Sequence, residues 1–444
     1  MASASLALGR TALGATDIQP ADYTLEIAPY LLEASPKHRY PTVAYSGQVP
    51  GPLLRMKQGR EITVEVRNHS ADPEIVHMHG LFLPSEIDGA MEEGAPMIAP
   101  GASTRLTFAP DPAGFRWYHT HTFAGDDLRK AQFGGQHGFL LIEPPDNPAR
   151  YDREVFLALH DWGGQEMTGS DGSSMPVYDV STINGKMLGF GEPVKVKQGE
   201  RVMMHVLNSS PTEVHWVALA GHTFQVVALD GNAVTQPRPV KMLRLAPAER
   251  VSAVVEMNSP GVWLLAEVRR HVHAAGMGIV VEYAGASGEP KWNQPEDLVW
   301  DYAQFAAQGG AASGERGEAQ EVIEIPLTFD SKFEGHGSEE RWTINGKSYP
   351  ETAEPVLQAG KRYRLVMKNV SANDHPIHLH RHTFEVTRVG DGPGMRGLMK
   401  DVLLAPAKST SAVEFVANHP GRTLFHCHQQ DHMDRGFMMV FRYA

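Results

Sequence analysis

Cysteine is all but absent: Cys427 is the single one in 444 residues. One thiol excludes any intrachain disulfide, so bridges say nothing about an oxidising compartment, and the residue is either inert core or kept for chemistry. Basic charge is also in deficit. With 40 Lys and Arg against 52 Asp and Glu the formal charge is −12, and without a basic stripe this excludes a nucleic-acid footprint as partner. No uninterrupted apolar run reaches the roughly 18 residues that a membrane span requires. The first 16 residues, MASASLALGRTALGAT, lack the basic and hydrophobic layout of a signal peptide and read as a tail or processed remnant.

Turn formers and histidines are abundant. Thirty-one prolines and 43 glycines punctuate short runs rich in Val, Leu, Thr and aromatics, which predicts many strands rather than long amphipathic helices. A soft prior of about 150 residues per domain gives about three domains. A repeat supports that number. MKQGREITVEVRNHS from Met56, VKQGERVMMHVLNSS from Val196 and LQAGKRYRLVMKNVS from Leu357 each run from a Gly to an Asn nine residues later. A second element follows in each third: PAGFRWYHTHT at Pro112, SPGVWLLAEVRRH at Ser259 and HPGRTLFHCHQQDH at His419. TINGK recurs at Thr182 and Thr343, marking the openings of units two and three.

Counting from these landmarks exposes a selective loss. Nine and eleven residues past the Asn stand His77 and His79 in unit one and His378 and His380 in unit three, but Val217 and Leu219 in unit two. Five and seven past the second Gly stand His119 and His121, then His426 and His428, against Ala266 and Val268. With 22 His in the chain, chance placement at all eight outer positions is on the order of 10⁻¹⁰. Histidines that served the fold would not vanish from one copy alone. On a strand, residues i and i+2 share a face, so each His-x-His pair points two imidazoles one way, and four pairs can meet across an interface between units one and three. Imidazole suits copper, zinc, iron or nickel, so the eight leave the metal open. By the same alternation Cys427 faces away from His426 and His428. Together with His375, which lies opposite to His378, and with His432, it forms a His₂Cys set, the ligand set of blue-copper electron-transfer sites.

The chain thus resembles a three-domain multicopper oxidase of the laccase-like kind, through HMHG at His77, WYHTH at Trp117, HPIHLH at His375 and HCHQQDHMDRGF at His426. The resemblance implies an all-β chain of three consecutive cupredoxin-like Greek-key β-barrel domains, at residues 17–147, 148–286 and 321–444, with a linker at 287–320. It implies four coppers: type 1 on His375, Cys427 and His432, type 2 on His77 and His378, and a type 3 pair on His79, His119, His121, His380, His426 and His428. It implies that a small reducing substrate (phenols, aromatic amines or metal ions) gives up electrons through the outer edge of His432, that O2 is reduced to water, and that the protein is periplasmic or secreted. Asp88 matches the acidic residue that assists proton transfer in this family. Ten residues after Cys427, where bacterial relatives often carry an axial Met, stands Phe437, as in high-potential laccases; coordination by Met438 after a one-residue shift is the competing reading. Alternatives in function are a cuprous or other metal-ion oxidase and a copper-free cupredoxin scaffold; a two-domain nitrite reductase would lack the paired histidines.

Other residues carry blander expectations. Where relatives often carry an acid just after the last type 1 histidine this chain has Met433; Asp431 or Asp434 is the alternative to it, and each reads first as a solvated loop charge. His222 and His382, in GHTF and RHTF, share a structural role in the repeat; His271 and His273 sit at a polar strand end; His137, His336 and His419 lack a partner signal. Met395 and Met399 read as packing. AQGGAASGERGEAQ from Ala307 reads as a flexible linker into unit three.

Overall fold

A computed structural model describes residues 20–146, 151–168, 174–296, 298–307, 321–333 and 340–444. The expected tail, nearly all of the Gly-rich stretch after Ala307, and His336 lie outside these residues. Strand makes up 51% and helix 6%, so the expectation of an all-β chain of cupredoxin-like units holds. Each unit is built from two sheets, of four and four strands in the first and of six and five in the second and third, and a two-stranded hairpin is added in the second.

The three copies share one register. The opening strand of each unit runs parallel to the strand that ends in the repeated Asn, pairing Ile27 with Asn68, Leu159 with Asn208 and Phe329 with Asn369. That Asn is buried in every copy and holds the following turn: its side chain accepts from the amide two residues on (Ser70, Ser210, Ser371) and donates to carbonyls of the turn and of a neighbouring strand. A buried amide that satisfies three backbone groups is costly to replace, which explains its recurrence. The TINGK echo has the same cause. Asn184 and Asn345 sit at φ of 52° and 54°, and each side chain ties the turn to the opening strand of its unit, at Ala158 and Thr328.

The stretch expected as linker at 287–320 begins as packed chain. Tyr302 and Phe305 are buried in the core that spans units two and three, with Trp300 against them, and the Tyr302 hydroxyl donates to Glu249 at 2.5 Å. Three large aromatics remove more apolar surface from water than a mobile connector does. Among the described residues no helix is long and apolar enough to cross a membrane.

Candidate metal centre

In each unit the site strands are neighbours in one sheet. Strand Val76–His79 pairs antiparallel with Gly114–Thr120, setting His77 opposite His119; strand His375–Leu379 pairs with Arg422–Cys427, setting His378 opposite His426 and Ile377 opposite Cys427. In the middle unit Ala218 faces Ala266 and Val217 faces Glu267. The counterparts of His378 and His380 are therefore Ala218 and Ala220 rather than Val217 and Leu219. The turn after Asn208 is one residue longer: its side chain reaches the carbonyl of Glu213, five residues on, where Asn68 and Asn369 reach Asp72 and Asn373, four on. The middle unit still has no histidine at the four places.

The eight outer histidines converge between units one and three and are all fully buried. His77 stacks on His380 at 4.1 Å between ring centroids and His79 on His378 at 3.8 Å; His121 lies 5.0 Å from His380 and 5.1 Å from His426. Their hydrogen bonds fix which nitrogen stays free. The Nδ1–H groups of His77, His119, His378 and His426 donate to the carbonyls of Asp88, Thr120, Asp401 and Cys427 at 2.7–2.8 Å, and His380 Nδ1–H donates to the Asp88 carboxylate at 2.9 Å. His79 is held the other way round, Nε2–H donating to Asp401 at 3.2 Å. What remains is a set of buried nitrogens without hydrogen-bond partners: Nε2 of His77, His119, His121 and His378, Nδ1 of His79, and both nitrogens of His428. Burial drives His79, His119 and His428 toward the neutral form and lowers His121 to about 3 and His378 to about 4. Neutral rings with lone pairs converging on one space fit metal ions.

The second set is in unit three. His375 Nδ1 and His432 Nδ1 are 3.1 Å apart, and the Cys427 sulfur lies 3.8 and 3.6 Å from them. A triangle with these edges has its centre about 2.0 Å from each corner, the range of metal bonds to imidazole nitrogen and thiolate sulfur. Burial pushes the Cys427 thiol up; a bound cation is what such a thiol needs to ionise. Ser371 Oγ meets His375 Nε2 at 2.8 Å and so leaves Nδ1 for the centre. Phe437 closes one side, its ring 4.7 Å from that of His375 and its carbonyl accepting from the Cys427 amide. Met438 packs elsewhere, with Ala90, Leu424 and Met433. His432 is more enclosed than expected: Trp342 lies 4.1 Å from its ring, and 5% of the residue stays exposed.

Asp88 ends the short helix Ser85–Asp88. Its carboxylate reaches His380 and lies 3.2 Å from His77 Nδ1, its carbonyl accepts from His77, and Oδ1 has no partner. Gly89, at φ +96°, makes this possible, because a Cβ there would meet the Val76 carbonyl at 2.0 Å. The turn at Gly89 and the contacts of Asp88 with His77 and His380 thus come from one local structure. Glu93 is a residue the sequence did not single out; burial and Asp88 push it above the usual carboxylate range, and it lies 3.5 Å from His380 Nδ1.

Several bland expectations change. Asp431 and Asp434 are not solvated: burial raises them to about 6 and about 7, and Asp434 accepts from the Ala124 and Gly125 amides of unit one. His271 and His273 lie in a helical turn, Arg270–Ala274, rather than at a strand end. His222 and His382 do share one role, each bridging a carbonyl two residues back and a tyrosine hydroxyl, Tyr283 or Tyr443. His137 stacks on His160, and His419 packs on Phe82. Met395 is core; Met399 lines a cleft to which all three units contribute. Asp401 was missed. The aligned stretches KMLRLAPA from Lys241 and KDVLLAPA from Lys400 differ there, Met242 against Asp401, a signal visible only once the repeat is aligned beyond its histidines.

Comparison with known proteins agrees with this geometry. Profiles of the family described as multicopper oxidase match residues 31–147, 153–283 and 325–444. The chain is 29% identical over 433 residues to multicopper oxidase MmcO of Mycobacterium tuberculosis, covering 89% of this chain and 82% of that one, and 25% identical to laccase-3 of Thanatephorus cucumeris, covering 90% and 86%. A multi-copper oxidase from Pseudomonas thermotolerans superposes with a TM-score of 0.73 at 26% identity, over 96% of this chain and all of that one. Fet3p, at 19% identity and a TM-score of 0.79, shares the fold. The chain belongs to the multicopper oxidases: it is a laccase-like, copper-dependent oxidoreductase with O2 as electron acceptor.

Proposed function

We propose that the residues of the two sets hold four coppers: type 1 on His375, Cys427 and His432, type 2 on His77 and His378, and a type 3 pair on His79, His119, His121, His380, His426 and His428. The observation that carries the assignment is the Cys427 peptide. Its side chain completes the triangle with His375 and His432, and its two chain neighbours belong to the eight-histidine set. Copper bound at these sets would supply one-electron oxidation at the first and four-electron reduction of O2 to two waters at the second.

The residues do the rest. Trp342 and Phe437 keep water from the His₂Cys side, and the narrow exposed edge of His432 admits electrons from a small reducing substrate. His426 Nδ1–H, bonded to the Cys427 carbonyl at 2.8 Å, ties the ligand strand into a rigid short path between the sets. Reduction of one O2 consumes four protons, and Asp88, in reach of both His77 and His380, is placed to hold and hand on a proton at its free Oδ1. Phe437, whose ring lies 4.7 Å from that of His375, offers no donor atom, and a copper held by His375, Cys427 and His432 would therefore be favoured in its reduced state.

Phenols and aromatic amines, small enough to meet the 5% of His432 that stays exposed, are the substrates of this reading. A second reading, oxidation of metal ions such as Cu(I), draws on the hairpin Gln165–Thr168 and Ser174–Val177, whose Glu166 bonds Arg435 three residues past His432. It presents Met167 and Met175 as cross-strand partners, 57% and 60% exposed, and thioethers suit Cu(I). Turnover of phenols against Cu(I) by one copper-loaded preparation separates the two. A preparation with far fewer than four coppers per chain and no blue absorption would sink the oxidase assignment of these residues. Kinship supports a periplasmic or secreted location, which fractionation of the native host tests.

A further inference from the structure

The three units meet at a buried group of charges that ends on the eight-histidine set. Arg116 comes from the first unit, Asp230, Glu249 and Arg250 from the second, and Lys400 and Asp401 from the third. All six are buried, and the three cations balance the three carboxylates. Arg250 grips Asp401 as a fork, Nη1 to Oδ1 at 2.6 Å and Nη2 to Oδ2 at 2.7 Å, and Arg116 adds a bond of 3.2 Å to Oδ2. Asp230 accepts from the amides of Asp401 and Val402 and from Lys400 Nζ, which also reaches Glu249 at 3.0 Å.

Asp401 in turn touches two of the proposed ligands. Its Oδ1 accepts from His79 Nε2, and its carbonyl accepts from His378 Nδ1 at 2.7 Å. The backbone fixes the tautomer of His77, His119, His378 and His426; that of His79 depends on a carboxylate whose own position is set by two arginines. Gly80, next in the HMHG motif, leaves room for the arrangement, since a Cβ there would come within 2.6 Å of Asp401 Oδ2 and 3.0 Å of Arg250 Nη2.

We infer that Arg250, on the middle unit that contributes no ligand, is a positioning residue for the three-copper site: through Asp401 it fixes His79 with Nδ1 free and orients His378. The middle unit so controls whether that site fills and keeps its shape, while the His₂Cys site, which the charge group does not touch, is independent of it. The inference rests on the proposed copper ligands. A charge-assisted bidentate grip is the kind of contact that holds a ligand's orientation, and removing such outer partners typically weakens metal binding about 10- to 100-fold.

The test compares full-length, copper-reconstituted wild type with Arg250→Met, Asp401→Asn and Lys400→Met, reading copper per chain, blue absorption and the type 2 electron paramagnetic resonance signal. Arg250→Met and Asp401→Asn are expected to keep the blue band, to lose or shift the type 2 signal, and to release cluster copper to a chelator about 10- to 100-fold more readily. Lys400→Met removes a charge from the same group but no side-chain bond to Asp401 or to a proposed ligand, since Lys400 Nζ pairs with Asp230 and Glu249, and it is expected to keep the wild-type cluster signals. If Arg250→Met fails to fold, Asp401→Asn decides. Wild-type cluster signals in Asp401→Asn, or the same loss in Lys400→Met, or loss of the blue band in step with the type 2 signal, would overturn the role. A wild type that takes up no copper would instead overturn the ligand assignment on which it rests.

Discussion

The middle unit holds a charged histidine at the place that His375 takes in the third unit, and this makes a prediction that needs no copper. His215 corresponds to His375 and Glu267 to Cys427, because Val217 faces Glu267 as Ile377 faces Cys427. His215 Nε2 meets Asp161 at 2.8 Å and Nδ1 meets Glu267 at 3.1 Å, all three side chains buried. Burial alone would lower the imidazole, but the two carboxylates outweigh it and hold it at about 9, against an ordinary 6.5. Each tenfold in the equilibrium is about 1.4 kcal/mol, so the raised group contributes about 3 kcal/mol when fully expressed. For a raised pKa that stability is complete below 6.5 and lost as pH rises through 9. Burial would raise Asp161, yet His215 holds it at about 2; its own contribution is lost only as pH falls through 2, so the alkaline window belongs to His215. The perturbation is His215→Gln, which leaves Asp161 and Glu267 buried with Arg269 as the nearby cation. Unfolding free energy of both proteins is measured from pH 6 to pH 10. The variant is expected to be less stable by about 3–5 kcal/mol at pH 6 to 7, and the gap should shrink by about 3 kcal/mol by pH 10. A gap that stays constant across that range, or a nitrogen chemical shift showing His215 neutral at pH 7, would refute the charged-histidine reasoning.

Three further expectations concern the copper sites. Cys427→Ser should abolish blue absorption and substrate oxidation while circular dichroism stays that of the wild type, since a serine fits the same buried space; retained oxidation would break the proposed electron path. Phe437→Met should lower the potential of the type 1 site in a redox titration, because the ring it replaces lies against His375; an unchanged potential would point back to Met438, despite its packing against Leu424 and Met433. Asp88→Asn should slow reoxidation by O2 by about 10²-fold or more in stopped flow, with reduction of the type 1 site unaffected; a normal oxygen step would leave Asp88 only its role in the turn at Gly89.

The histidine pattern was legible because the chain carries its own control. A middle copy with the same Gly and Asn landmarks but no histidine at the four matching places separates what the fold needs from what the proposed metal site needs, and strand alternation then puts Cys427 opposite His426 and His428. Counting failed where the backbone changed length without changing its landmarks: one added residue in the turn after Asn208 shifted Val217 by one place. What sequence could not show were contacts whose partners lie far apart, 322 residues between His79 and Asp401 and 151 between Arg250 and Asp401. The enclosure of His432 by Trp342 was hidden for the same reason, as was the burial of Asp434, whose partners are amides of unit one.

Once registers are aligned, one pair of positions can be followed through all three units, and it explains why the lone cysteine sits where it does. In unit one the pair is Glu74 and Thr120, the hydroxyl donating to the carboxylate at 3.2 Å, with Gln136 donating to the same oxygen at 2.9 Å. In unit two it is His215 and Glu267, an ion pair. In unit three it is His375 and Cys427, 3.8 Å apart. Every copy buries two polar groups against each other at this place, so the barrel does not exclude polarity there; it requires that the polarity be satisfied. A carboxylate satisfies it with hydrogen bonds in unit one and with a charged imidazole in unit two. His375 and Cys427 meet only through a long contact to sulfur, and the third group facing them is His432, where unit two has Val272 in the same turn of helix. The third unit therefore departs from the other two in leaving three donor atoms aimed at one point, and the strand that carries Cys427 is the one whose opposite face already supplies His426 and His428.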